Sequence, residues 1–262
     1  MLTLSDITRQ VARLVLPDMM ATGSATAGAT TSLTDTANLT QADAWFDKGT
    51  LWILSGTHAG KVLKVTGHRS NALTFAALGS AISAGDRYAV IRAVYPYEQI
   101  KSAIMQALDD TYVDAEDATL EGDGTTLEFN LPTGVYNLKD VWIENPADPT
   151  GNSNYKSAHW KHKNGKLRFD YGYAPFDGWT IRMIYKDQHA ELVDYDDEVD
   201  GLINTEWLRH NAARYLLDWG MGIYKAQAEY RIEERMNLVL ERLKSLKPRL
   251  DGPDLSIRTG EG

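Results

Sequence analysis

Six histidines and no cysteine limit what chemistry this chain can do. Disulfides, thiolate metal sites and cysteine nucleophiles are excluded, and a reducing cytoplasm is an unproblematic place for assembly. His159 and His162 stand three apart in AHWKHK, where the period-two geometry of a strand turns them to opposite sides and makes them a poor metal pair. His58 and His68 sit in turn-like stretches and His189 follows a strand, so they read as polar loop residues; His210 lies on a helix with an apolar inward face. The run DYDDEVD (Asp194, Asp196, Asp197, Glu198, Asp200) lacks the glycine and spaced terminal glutamate of an EF-hand. It reads instead as carboxylates at a helix N-terminus, where the dipole favours them. GTHAGK, residues 56–61, has too short a spacer for a phosphate loop and no Ser or Thr after Lys61, and it reads as a hairpin turn. No G-x-S-x-G, H-E-x-x-H or G-x-G-x-x-G occurs. The expectation is therefore a protein that is not an enzyme and has neither metal nor cofactor.

Aromatic residues are the other chemically capable group. Trp142, Tyr155, Trp160, Tyr171, Tyr173 and Trp179 concentrate in one β-rich stretch. Such rings fill cores and subunit interfaces, and they also stack on sugars. Core or interface is the preferred reading and a carbohydrate- or receptor-binding module the alternative. A glycosidic role for Asp170 and Asp177 ranks third.

A formal charge of -9, from 27 basic against 36 acidic residues, repels duplex phosphate, so sequence-specific DNA binding is not expected. With 43% apolar residues the chain can bury a real core. The first residues have no basic region or long apolar stretch, and no run approaches the roughly 20 residues that span a bilayer. A soluble protein without membrane contact is expected.

Elements follow from periodicity. Ile7, Val11, Leu14 and Val15 predict a short helix capped by Thr3 or Ser5 and ended by Pro17. The Thr-, Ala-, Ser- and Gly-rich stretch from Ala21 to Ala42 predicts strand and loop, or a flexible arm. Trp45 to Ala93 predicts a small barrel or curled sheet of short strands separated by Gly49, Gly56, Gly60, Gly67 and Gly85. Pro96 opens a helix through Ile100, Ala103, Ile104, Ala107 and Leu108. The acidic stretch from Asp109 to Asp123 reads as a solvated helix end and loop. Thr125 to Lys186 predicts an antiparallel sandwich or half-barrel, with a hairpin at Asn164-Gly165. Glu198 to Leu246 predicts two helices, broken or bent at Gly220 and Gly222 and stopped at Pro248. Residues 248–262 hold few apolar anchors and should be disordered when free.

The block GTLWILSGTHAGKVLKVTGHRSNALTFAALGSAISAGDRYAVIRAVYPYEQIKSAIMQALDD resembles structural proteins encoded among the head and neck genes of tailed phages. The resemblance rests on the Gly-Thr strand at Gly49, the turn at Gly60, the Asn-x-Leu-Thr strand at Asn71, the Gly-Asp-x-Tyr turn at Gly85 to Tyr88, and the Ile-x-x-Ala-Ile helix after Pro96. It implies a head-to-tail connector or adaptor subunit in the neck of the virion, assembled in the host cytoplasm. The implied fold is α+β: a bundle of about four helices (1–20, 95–117 and 198–247) with two inserted antiparallel β regions (21–94 and 118–197) and an extended C-terminal arm (248–262). The implied partners are further copies in a ring, twelve-fold in such families, the portal protein, other neck or tail proteins, and DNA only in passage. Arg249, Leu250, Leu255, Ile257 and Arg258 would anchor the arm on the portal. Another tail or baseplate component is the nearest rival.

Overall fold

Thr3 opens the first helix, its Oγ1 accepting the N–H of Asp6, in the computed structural model, which describes residues 2–148, 150–224 and 231–249. Helix α1 (Leu4–Val15) buries Leu4, Ile7, Val11 and Val15, the stripe that three- and four-residue spacing dictates. Pro17, with no N–H to donate, begins a 3-10 turn at Pro17–Met19 that sends the chain into β1 (Met20–Ser24). The chain forms two compact units, Met1–Thr111 with Ala190–Gly262, and Tyr112–His189.

In the first unit, β2 (Ala27–Gly28), β3 (Ser32–Thr34), β4 (Thr50–Ile53), β5 (Val62–Arg69), β6 (Ala72–Phe75) and β7 (Arg87–Ile91) join β1 in one antiparallel sheet. Its order is β1-β7-β4-β5-β6-β3-β2, curled into a half-barrel. The long strand β5 makes the corner: Val62 to Lys64 pair with β4, Val65 to Arg69 pair with β6, and the register slips between Val65 and Gly67. The concave face encloses Leu33, Leu39, Phe46, Leu51, Ile53, Val65, Leu73, Tyr88 and Val90. Thus the small-residue stretch after Ala21 is neither loop nor arm. Its three strands include both edges of the sheet, and small residues are needed there: a Cβ on Gly23 would lie 2.2 Å from Asp35 Oδ2, and one on Gly28 2.5 Å from Ile82 O.

Helices α2 (Tyr97–Asp109), α3 (Thr205–Tyr224) and α4 (Ile232–Leu243) complete the unit, and α1, α2 and α4 each pack on α3. The expected α+β helical bundle with β insertions is nevertheless wrong. The described residues hold four α-helices and fourteen strands in three antiparallel sheets, so the fold is mostly β. The reason lies in β4, which is buried along its whole length. Leu51 and Ile53 face the half-barrel core, whereas Trp52 points the other way and donates from Nε1 to Thr8 Oγ1 of α1 at 3.0 Å. A strand covered on both faces is a shared wall, and the first β region is therefore integral to the helical core instead of being inserted beside it. Helix α3 also runs unbroken through Gly220 and Gly222. Gly220 answers a packing demand: a Cβ there would come within 2.1 Å of Tyr95 Oη.

The second unit is a sandwich. Strands β8 (Val113–Glu121), β10 (Leu138–Glu144), β11 (Tyr155–Lys156) and β14 (Thr180–Asp187) form one sheet in the order β11-β10-β14-β8. Strands β9 (Glu128–Asn130), β12 (Trp160–Lys163) and β13 (Lys166–Phe169) form the other in the order β12-β13-β9. Val141, Ile143, Leu167, Phe169, Ile181 and Met183 fill the space between. Asn164 and Gly165, both at positive φ, turn the β12–β13 hairpin, with Lys163 facing Lys166 across it. The acidic stretch after Asp109, expected as a loop, is the edge strand β8, paired with β14 from Glu121 to Val113. Its charges suit an edge, because they discourage further strand addition.

Candidate functional site

The histidines do not converge. His58 is buried, its Nε2 2.9 Å from both the carbonyl and the hydroxyl of Ser80, and so ties two loops together. His68 is fully buried, edge-on to Phe46 at 5.2 Å, and among the described residues neither ring nitrogen has a hydrogen-bond partner. Both were expected to be polar loop residues; enclosure by the half-barrel, which only the sheet's curl creates, made them interior. His210 donates from Nδ1 to Glu206 O at 2.7 Å within α3. His159 stacks on Tyr173 with ring centroids 3.6 Å apart, and His162 stands exposed on β12.

The acidic run does not cap the helix that follows it. Asn204 does: its Oδ1 accepts the N–H groups of Glu206 and Trp207. The run instead folds against the start of α1. Asp197 O accepts the N–H of Leu4 and Tyr195 O that of Ser5, satisfying donors the helix itself leaves unpaired. Carboxylate oxygens of Asp194, Asp196 and Asp197 lie within 4.8 Å of one another. Asp197 Oδ2 is already engaged by the N–H groups of Val193 and Asp194, which hold its carboxyl below the ordinary range against a smaller opposing effect of burial.

The helical side of the first unit carries an open groove of about 550 Å³ between α3 and α4, lined by Asp110, Trp207, Asn211, Arg214, Asn237 and Leu240 among others. Asp110 is its polar hub, with Oδ2 accepting from Asn211 Nδ2 at 2.7 Å, Tyr215 Oη at 2.8 Å and Arg214 Nη2 at 3.1 Å. Arg242 clamps α4 to α3 through Glu206, and Arg235 reaches Asp18. Leu238 and Leu240 on α4 point outward, exposed, as do Val193 and Tyr195 in the acidic loop.

Of the expected arm anchors, only Arg249 is among the described residues. It makes an isolated antiparallel bridge with Ile203 beside the start of α3, and the preceding Pro248 O accepts the N–H of Asn204. Leu250, Leu255, Ile257 and Arg258 lie outside the described residues.

In the sandwich, Trp160 and Trp179 rest against the core, whereas Tyr155, Tyr171 and Tyr173 are exposed. Asp170 is engaged by Lys161 at 3.1 Å, and Asp177 lies beside Gly124. Phe176 and His159 join these rings but were not singled out by aromatic spacing, because the loop that gathers them has no period. No helix among the described residues is long and apolar enough to cross a membrane. No known protein-family model and no curated protein sequence matches the chain.

Proposed function

We propose that the chain is a virion structural protein of a tailed bacteriophage, a head-to-tail connector subunit that joins further copies in a ring beneath the portal and lines part of the DNA channel. The observation that carries this reading is the exposed apolar surface of the first unit. Leu238, 66% exposed, and Leu240 lie on α4; Val193, 61% exposed, and Tyr195 lie on the loop beside α1. A closed ring is built from heterologous contacts, so each subunit needs two different sticky sites. Different elements supply them here.

The acidic balance of -9 supports a channel through which DNA moves without adhering. The exit of the chain at Arg249 supports residues 248–262 as the segment that reaches the portal, with Leu250, Leu255 and Ile257 as apolar anchors and Arg249 and Arg258 as ion-pair donors. Native mass spectrometry of the protein alone, and mixed with its candidate portal, tests the reading. A ring, or a monomer that becomes a ring on the portal, is expected, and Leu238→Asp with Val193→Asp should abolish it. A monomer or trimer indifferent to portal points instead to another tail or baseplate component.

A further inference from the structure

The second unit gathers its exposed aromatic rings at one end, and the topology says why. Trp160 pairs with Phe169, so the chain enters β12 and leaves β13 at the same end of the three-stranded sheet. Thr180 pairs with both Glu144 and Glu121, so β14 begins where β8 and β10 finish. The segment from Asp170 to Trp179 joins these two ends. It brings Tyr171, Tyr173, Phe176 and Trp179 together with Tyr155 at the start of β11 and His159 just before β12. The rings form two short chains: His159 stacks on Tyr173 at 3.6 Å, while Trp179 lies 4.9 Å from Phe176 and 6.5 Å from Tyr155.

This loop is held, not merely present. Gly122 donates to Trp179 O at 2.8 Å, Gly124 to Pro175 O at 2.9 Å, and Gly178 to Gly122 O at 3.0 Å. The packing is so close that a Cβ on Gly122 would lie 2.5 Å from Phe176 O. Asp123 fastens the other side of the turn by accepting from both the N–H and the hydroxyl of Thr125 and of Thr126. Rings fixed before binding lose little freedom on contact with a ligand, which is what a shallow site needs. Tyr171, next to Gly172 at φ +85°, is nevertheless 94% exposed, and Tyr173 and Phe176 are about half exposed.

The chemistry of the exposed side chains separates a sugar from a protein as the occupant. The large exposed hydrophobic residues of the second unit are Tyr136, Tyr155, Tyr171, Tyr173 and Phe176, all aromatic. Those of the first unit are mostly aliphatic: Val193, Ile223, Leu238 and Leu240, with Tyr195. Aliphatic side chains suit a protein surface. A pyranose instead presents a face of C–H bonds, polarised by the neighbouring oxygens, that sits on the electron-rich face of an aromatic ring. Its equatorial hydroxyls then need donors and acceptors at the ring edges. Those are at hand in the tyrosine hydroxyls and in Asp170, whose carboxylate is 3.1 Å from Lys161 Nζ and 3.9 Å from His159 Nδ1.

We propose that the loop end of the second unit, centred on Tyr171, Tyr173, Phe176 and Trp179, is a saccharide-binding site for a pyranose oligosaccharide. It is independent of ring assembly through the first unit. The full chain is titrated with cellotriose, chitotriose, maltotriose and mannotriose, followed by saturation-transfer NMR and tryptophan fluorescence, and is applied to a printed glycan array. Saturable binding of at least one saccharide is expected, weakened at least tenfold in Tyr171→Ala and in Phe176→Ala. Both side chains are exposed, so unchanged melting and circular dichroism should show that these variants remain folded. Absence of saturable binding to every saccharide overturns the proposal, as does binding that both variants leave intact. If the variants change the oligomeric mass while no saccharide binds, the surface is a protein contact and the proposal falls.

Discussion

Tyr88 on β7 donates its hydroxyl to Asp35 Oδ2 at 2.9 Å, and both residues are almost wholly buried in the half-barrel. Asp35 also accepts from Ala37 N, Asn38 N and Asn38 Nδ2. Burial, the largest single effect, acts to raise the Asp35 carboxyl, but these hydrogen bonds together outweigh it and hold the group below its ordinary value of 3.8. The same enclosure, with the carboxylate alongside, pushes the Tyr88 hydroxyl far upward. Tyr88→Phe should cost about 1–2 kcal/mol and Asp35→Ala about 3 kcal/mol, read as urea midpoints. A double variant should lose less than the sum, because the two changes delete one shared bond.

Acid should unfold the protein from several places at once. Thr126 and Thr125 hold Asp123 well below the carboxylate range, Ser153 and Thr150 do so for Asp148, Lys166 lowers Glu128 and Arg242 lowers Glu206. A carboxyl lowered on folding contributes stability that is present above its unfolded value, 3.8 for Asp or 4.5 for Glu, and is lost as pH falls through the folded value. The urea midpoint should stay level from about pH 8 to about pH 5.5 and drop below about pH 4. A midpoint that rises on acidification would contradict this assignment.

Gly49 is the least replaceable glycine by geometry. A Cβ there would lie 2.1 Å from Ile91 O and 2.8 Å from Phe46 O, both of them backbone atoms that pairing holds in place. Gly49→Ala should cost about 3 kcal/mol or more, visible as a lowered melting temperature or insoluble expression.

His68 makes the opposite case. Its imidazole is enclosed beside Phe46 with no described partner for either nitrogen, so the polar atoms gain nothing from burial. His68→Leu, close in volume, should match or exceed the parent in chemical denaturation. A loss above about 2 kcal/mol would mean that the ring has a polar role.

The C-terminal segment should separate folding from assembly. Truncation after Lys247 removes the Pro248 carbonyl that accepts Asn204 N–H at 2.9 Å, and with it the bridge from Arg249 to Ile203. It should cost about 1 kcal/mol. Truncation after Arg249 keeps both contacts and should leave the melting temperature unchanged while abolishing attachment to the portal. If that shorter chain still joins the portal normally, the docking-arm reading is wrong.

Local rules were legible in the sequence where a few neighbouring residues set the outcome. Thr3 caps α1, Pro96 precedes α2, and Asn164-Gly165 turns the hairpin, each through a bond or a dihedral contained within a few residues. The apolar stripes of α1 and α2 were readable for the same reason, as was the want of a catalytic motif. Tertiary structure decided what depends on distant partners. The acidic run from Val113 to Glu121 is a strand because β14 pairs along it. Gly220 sits inside a helix because Tyr95 needs the room, and Trp52 makes the half-barrel a wall of the helical core by reaching Thr8. Phe176 and His159 meet the other rings only because two sheets end at the same place. Composition and spacing settle local conformation; which faces are buried, and which side chains converge, is settled by contacts between residues far apart in the chain.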